Sequence, residues 1–544
     1  MPLLSRILLF AVVLLSVTVA AVPSVESEAG RTYANPVIPG FFPDPSVVRV
    51  GEDYYLVNST FQYFPGVIIS HSRDLVNWRQ IGHVFEKSED LDLTGFMDGC
   101  GIWAPDLSWH EGKFYLFYCL VQLTKDRSIN VRGNYVVTAT DIHGPWSKPV
   151  QLTTEGNDPS HFVDTDGSHY LLYAGGIPKG GATRIAKLTP DCTRLAEEPR
   201  WISYGGEKRA PEGPHLIRKD GWYYHIMAAS GGIYDGHHQL VGRSRSLYGP
   251  YEPSPHGPFI AQMDKTSPLQ HHGHAKLVQT QTGSWWAVYL MQRRIERFSP
   301  LGRETGLDRV EWGEDGWPQL NGGRGPSARA PVPDLPPSPA LIRVEETFTA
   351  TTLGLPWQWV RNPLPDGSNL TERPGWLRLS TTSGDLDAPL ARNIPLQREV
   401  ALRATATTRM EFAPSGDQEA GLLCYYDAKS FLRLGLTRRD GLRLVLSESR
   451  KGVPSILGES PGIPAGPVEL RVEIDGLSRT FAYRVGEGAW TTVGVVPKAT
   501  HLSDQGTPLW GFTGTMIGLY AVGRSTGERI PAYFDDFRYR PSVP

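Results

Sequence analysis

Three carboxylic acids recur along the first half of the chain, each beside a proline: Asp44 before Pro45, Asp158 before Pro159, and Glu212 after Pro211. Ala104, followed by Pro105, and His274 fall into the same series, and the five starts are separated by 60, 54, 54 and 62 residues. Acids that converge on one point raise one another's pKa, and burial adds to the effect. A fold that needed only stability would place apolar residues there. Read singly, an Asp-Pro pair is a turn in which Asp caps backbone amides. That reading does not account for three acids and a histidine at equivalent places. Carboxyls with separated pKa values are what cleavage of a glycosidic bond uses: one protonates the leaving oxygen, and another activates a water on the far face of the sugar. A third would tune and orient the acid.

The elements that must position these residues follow from the repeat. Each start opens an apolar strand, a polar turn and an aromatic-rich strand, as in Asp44-Pro-Ser-Val-Val to Tyr54-Tyr-Leu-Val and Glu212-Gly-Pro-His-Leu-Ile to Trp222-Tyr-Tyr. The period suits a four-stranded sheet with its loops, and five periods predict a five-bladed β-propeller over residues 30–321. The first residue of each repeat then faces the central channel. Phe61, Phe64, Trp103 and the group around Trp109 lie in or beside these segments. They could stack on sugar rings or pack one blade on the next.

Composition agrees with an all-β chain: 58 glycines and 45 prolines among 544 residues resist helix. A net charge of −3 leaves no basic footprint for nucleic acid and favours a neutral partner. Four cysteines without a CxxC or a Cys/His cluster predict neither a disulfide scaffold nor a zinc site, and leave pairing open. Arg6 precedes an apolar run from Ile7 to Ala20, with small residues at Thr18, Ala20 and Ala21. This predicts a secretory signal peptide over residues 1–21, too short to span a bilayer, with no membrane partner. Asn58 and Asn369 head glycosylation sequons; Asn58 ends an apolar run and reads as structural, Asn369 as the better acceptor. Gly322 to Pro339 carries six prolines and predicts a stiff linker over residues 322–343. Beyond it, stretches such as Leu432-Arg-Leu-Gly-Leu and Leu442-Arg-Leu-Val-Leu predict half-buried strands of an antiparallel β-sandwich over residues 344–544.

Several segments carry a family resemblance. Asn35-Pro-Val-Ile-Pro-Gly-Phe-Phe-Pro-Asp-Pro-Ser and Ser59-Thr-Phe-Gln-Tyr-Phe-Pro-Gly-Val resemble the amino-terminal signature of family 43 glycoside hydrolases, the β-xylosidase and α-L-arabinofuranosidase group. Gly101-Ile-Trp-Ala-Pro-Asp-Leu, Asp158-Pro-Ser, Pro211-Glu-Gly-Pro-His-Leu, Gly273-His-Ala and Leu301-Gly-Arg-Glu-Thr continue it in order. Trp357-Gln-Trp and Gly421-Leu-Leu-Cys-Tyr-Tyr are similar to the concanavalin-like, jelly-roll-type sandwich that accompanies many of these β-xylosidases.

The resemblance implies Asp44 as general base, Asp158 as pKa modulator and orienter, and Glu212 as general acid, acting by inversion in one displacement. It implies that Arg303 binds the terminal sugar, in competition with a simple ion pair to Glu304, and that Phe61 and Trp103 wall the pocket. His274 would support the site at the axis. No cofactor is implied as required, although some relatives hold a calcium ion in the channel through water. Phe512 would bring the sandwich to the propeller mouth and favour removal of one terminal sugar, unless the sandwich is an independent carbohydrate-binding module. The implied substrates are β-1,4-xylo-oligosaccharides or arabinoxylan fragments, with release of terminal arabinofuranose as the alternative. A non-catalytic sugar-binding propeller would keep the aromatics but lose an acid.

Overall fold

The computed structural model describes residues 31–123, 129–175, 183–202, 211–230, 236–339, 345–388, 391–524 and 528–542. The expected signal peptide lies outside them. Five four-stranded antiparallel sheets follow one another along the chain. Their inner strands are Ser46–Val50, Gly101–His110, Asn157–Val163, Glu212–Lys219 and Leu269–Gln279, and each neighbours the next around a closed ring. The predicted all-β, five-bladed propeller is therefore present. Its blades pack through aromatic and aliphatic side chains: Phe64, Phe85, Phe114 and Tyr118 between blades 1 and 2, and Tyr224, Tyr289 and Trp317 between blades 4 and 5. Phe64 is thus core, and Trp109, at 40% exposure, is neither core nor near the acids' aromatic wall.

Two further sheets, of nine and seven strands, form the sandwich. Val468–Asp475 shows the expected period of two, with Val468, Leu470, Val472 and Ile474 buried and the charged residues between them more exposed. Glu419–Asp427 and Ser430–Arg438 depart from the prediction, being buried on both faces except at Arg438. One face, with Leu422, Cys424, Leu432 and Leu434, fills the sandwich core. The other, with Leu423, Tyr425 and Phe431, packs with Phe41, Phe61 and Trp103 of the propeller.

Two connections make the halves continuous. Tyr63–Phe64, from the propeller, is the edge strand of the nine-stranded sheet, pairing with Trp359 and Val360. The proline-rich segment is not a bare spacer: Arg329–Pro331 pairs with Thr32–Ala34, and Leu335 is buried against the propeller. None of the four cysteines is in a disulfide, and all are buried. The amide of Asn58 is buried and donates to the Pro43 carbonyl at 2.9 Å, which agrees with a structural role.

Candidate active site

The inner strands break their ladders at a shared place. Pairing skips between Trp103 and Asp106, Asn157 and Ser160, Glu212 and His215, and Gly273 and Lys276. The residue after each break has a positive φ: 27° at Ala104, 52° at Asp158, 56° at Gly213 and 48° at His274, with Asp44 at 52° in blade 1. Such bulges re-aim side chains, here toward the axis. The equivalent residue of blade 4 is therefore Gly213, which corrects the repeat reading. Glu212 stands one place earlier, opposite number to Trp103 and Asn157. The reason is space, because a Cβ on Gly213 would lie 2.8 Å from Nε2 of His274. Glycine lets the imidazole reach the axis, and the acid is carried by the preceding residue.

At the axis each charge has a partner. Asp44 accepts hydrogen bonds from Arg303 Nη1 at 3.0 Å and from Ser59 Oγ at 2.6 Å. Asp158 accepts from the Gly213 amide at 3.0 Å and lies 3.5 Å from His274 Nε2. Burial alone would raise the Asp158 carboxyl, but its hydrogen bond to His274 and the charge there hold it below the ordinary aspartate range. Burial opposes a charge on His274 as well; Asp44, then Asp158 and Glu212, nevertheless raise it to about 9. An imidazolium thus sits among three acids at neutral pH. Arg303 does not pair with Glu304, which is taken by Arg293 at 2.7 Å.

Below this tier lies a second. Lys276 Nζ donates to Asp106 Oδ1 at 2.5 Å, Leu107 O at 2.7 Å and Ser46 Oγ at 3.0 Å. Burial favours a neutral Asp106, but the Lys276 ammonium beside it holds its carboxyl low. Burial pushes His215 down to about 3, leaving it neutral. The cavity between the tiers, about 10 Å³, has room for about one water. These residues do not fit the calcium ion that the resemblance allowed. Calcium takes six to eight oxygens, whereas the axial carboxylates are already engaged by Arg303, His274 and Lys276. The resident cations are side chains.

Glu212 is the most open of the three acids, and His237 Nε2 lies 3.3 Å from its Oε1. His237 is buried, and the approach depends on Gly273, where a Cβ would meet its ring at 2.4 Å. Phe61, Trp103 and Phe512 meet as expected. Phe61 stacks on Phe512 with centroids 6.0 Å apart, and Trp103 meets it edge-on at 5.1 Å. Trp510 continues the wall, stacked on Phe512 at 5.1 Å. Arg303 donates from Nε and Nη2 to the Phe512 carbonyl at 3.1 and 3.0 Å, so one guanidinium joins Asp44 to the sandwich.

All the predicted site residues are thus brought together. Ser59, Asp106, His237, Lys276 and Trp510 were missed. Ser59 and Asp106 lie inside quoted motifs, and Lys276 follows one by a single residue; nothing local marks His237 or Trp510.

Comparison with known proteins places this geometry. The model of glycosyl hydrolases family 43 matches residues 33–318, and that of the β-xylosidase C-terminal concanavalin A-like domain matches residues 345–540. A non-reducing end α-L-arabinofuranosidase of Bacteroides ovatus is 36% identical over 94% of this chain and 96% of its own length. A β-xylosidase of Bacillus subtilis is 35% identical, covering 93% and 99%. The crystal structure of a xylan β-1,4-xylosidase from Bacillus halodurans superposes with a TM-score of 0.88 at 35% identity, covering 93% of this chain and all of that one.

Proposed function

This chain belongs to glycosyl hydrolase family 43 and is a glycosidase, and we propose that it is a secreted, exo-acting, inverting enzyme that releases terminal xylose from β-1,4-xylo-oligosaccharides. In this reading Glu212 gives its proton to the glycosidic oxygen as the bond to the anomeric carbon breaks. Asp44 takes a proton from a water that attacks the same carbon from the opposite face, so the product anomer is inverted. Asp158 orients and tunes the acid from beside Gly213, and His274 balances the three carboxyls. Trp103 and Phe512 offer apolar surface to the sugar with the buried Phe61 backing them, and Arg303 positions both the base and the terminal sugar. No step uses a metal.

The observation that carries the exo reading is the seating of Phe512 against Phe61 and Trp103, with its carbonyl held by the arginine that also holds Asp44. A wall built from a second domain beside the base leaves little room for a polysaccharide to continue. An independent carbohydrate-binding module would not share a strand with the propeller, as this sandwich does at Tyr63–Phe64. Release of terminal arabinofuranose is the second reading, favoured by the name of the Bacteroides ovatus relative. Secretion rests on the apolar leader, and the amino-terminal sequence of protein recovered from culture medium tests it.

Side-by-side hydrolysis of β-1,4-xylobiose and an arabinofuranosylated xylo-oligosaccharide, with proton NMR of the first product, tests substrate and stereochemistry. The proposal expects faster cleavage of xylobiose and α-xylose appearing first. Preferential arabinose release supports the second reading, and β-xylose appearing first overturns inversion.

A further inference from the structure

The inner strands Gly101–His110 and Asn157–Val163 lead away from the axis to a cluster the catalytic site does not use. His161 lies on the inner strand of blade 3, and His169, opposite Val163, begins the next strand. Cys192 follows in the same blade, after the strand Thr183–Lys187. His161 Nε2 lies 2.9 Å from His169 Nδ1, with the two rings within 6° of parallel. Nδ1 of His161 is 2.6 Å from Ser108 Oγ of blade 2. The ligand atoms of His161, His169 and Cys192 all lie within 4.8 Å of one another. Tyr115 and Phe117 wall the group, and Cys192 has no solvent exposure. At its rim, the His110 ring stands 5.3 Å from that of His169, beside the exposed Glu111.

Two imidazoles and a thiol are a donor set for a borderline-soft cation. Zinc binds histidine nitrogen at about 2.0–2.1 Å and thiolate sulfur at about 2.3 Å in a tetrahedron. That geometry sets two nitrogens about 3.3 Å apart, so the histidine pair has only a few tenths of an ångström to open. We propose that His161, His169 and Cys192 form a binding site for a zinc-class divalent cation at the junction of blades 2 and 3, with His110 approaching from the rim as fourth ligand.

His161 keeps its one proton on Nδ1, where the Ser108 hydroxyl accepts it, and presents Nε2; the proton that His169 places between the two rings moves from its Nδ1 to its Nε2 as the cation takes its place, so His169 presents Nδ1 with no net change of charge. The Cys192 thiol gives up its proton, so one is released per cation bound. Metal affinity therefore rises with pH, since the thiolate must be formed for binding. The ligands span a blade and, through His110, its neighbour, so a bound cation stabilises the folded propeller by linkage.

The test uses full-length protein stripped with a chelator and desalted, then titrated with zinc. Expected are one equivalent retained, one proton released and a raised melting temperature. Substituting cobalt, the site should show thiolate-to-metal charge-transfer absorption. Cys192→Ser and His169→Gln should each weaken zinc binding at least tenfold. Absence of stoichiometric metal, a cobalt spectrum without the thiolate band, or undiminished zinc affinity in folded Cys192→Ser overturns the proposal. If either variant fails to fold, the proton count and cobalt spectrum of the parent protein decide.

Discussion

Arg303 and Asp44 form a buried ion pair, 3.0 Å between Nη1 and Oδ1, with neither side chain more than 5% exposed. The partners are 259 residues apart, and the same guanidinium holds the Phe512 carbonyl. Removing the arginine strands a buried carboxylate, for which about 3–5 kcal/mol is typical. Arg303→Ala should lower the melting temperature and reduce kcat/KM by two or more orders of magnitude. Arg303→Lys should recover much of the stability but little activity, because an ammonium cannot span Asp44 and Phe512 as a planar fork does. Thermal melts and steady-state kinetics on both variants separate the two roles; full activity in Arg303→Lys would count against them.

Glu212→Gln removes proton donation while keeping the side chain's size. The expected loss on xylobiose is about 10²–10⁴-fold, with an unchanged melting temperature. Aryl xylosides whose leaving group needs no proton should be affected far less. An equal loss on both substrates would argue that Glu212 is not the proton donor.

Gly213→Ala should destabilise the propeller by about 2–4 kcal/mol, from a positive φ in a residue with a Cβ and from overpacking. The added methyl carbon is placed 2.8 Å from the His274 ring. Activity should fall with it, since His274 and the neighbouring Glu212 must shift together. Unchanged melting and kinetics would show that the axis has slack.

The charge on His274 predicts a pH dependence of stability. Its pKa is raised from 6.5 to about 9 in the folded protein. The corresponding stabilisation is fully present below the unfolded value and is lost as pH rises through about 9. A shift of that size is on the order of 3 kcal/mol. The melting temperature should therefore decline between pH 6.5 and 9, and this component of the decline should vanish in His274→Gln. Asp158 works in the other direction: held low, it contributes above the ordinary aspartate range and loses that contribution as pH falls through its folded value. A flat melting curve across the alkaline window in the parent protein would contradict the imidazolium.

Lys276→Met should destabilise strongly, by about 3–5 kcal/mol, because Asp106 keeps its burial but loses its ammonium partner. The double variant with Asp106→Asn should regain part of the loss. Adding calcium to metal-stripped parent protein should leave kcat/KM unchanged, the axis already holding its own cations. Activation by calcium would refute that reading.

Much of this site is legible along the chain because a blade is a local unit. Each inner strand opens with a positive-φ residue and a short apolar run, and four of the five carry a proline beside it, so the five starts, the three acids and the aromatic partners are visible within stretches of a dozen residues. Blade 4 departs from this pattern for want of space. Both Glu212 and Gly213 are flanked by proline, and only the clash of a Cβ with His274 decides which of them takes the bulge.

The sequence by itself therefore determined the five-fold repeat, the all-β class and which acids could face one axis, since these follow from backbone period and turn chemistry over short range. The tertiary structure alone decided which charges meet. Arg303 passes over adjacent Glu304 for Asp44, Lys276 crosses the channel to Asp106, His237 reaches Glu212, and Cys192 comes to His161 and His169. The first two pairings depend on how blades close into a ring, and the last two on how one blade folds back on itself beyond its ladder; separation along the chain carries no trace of either.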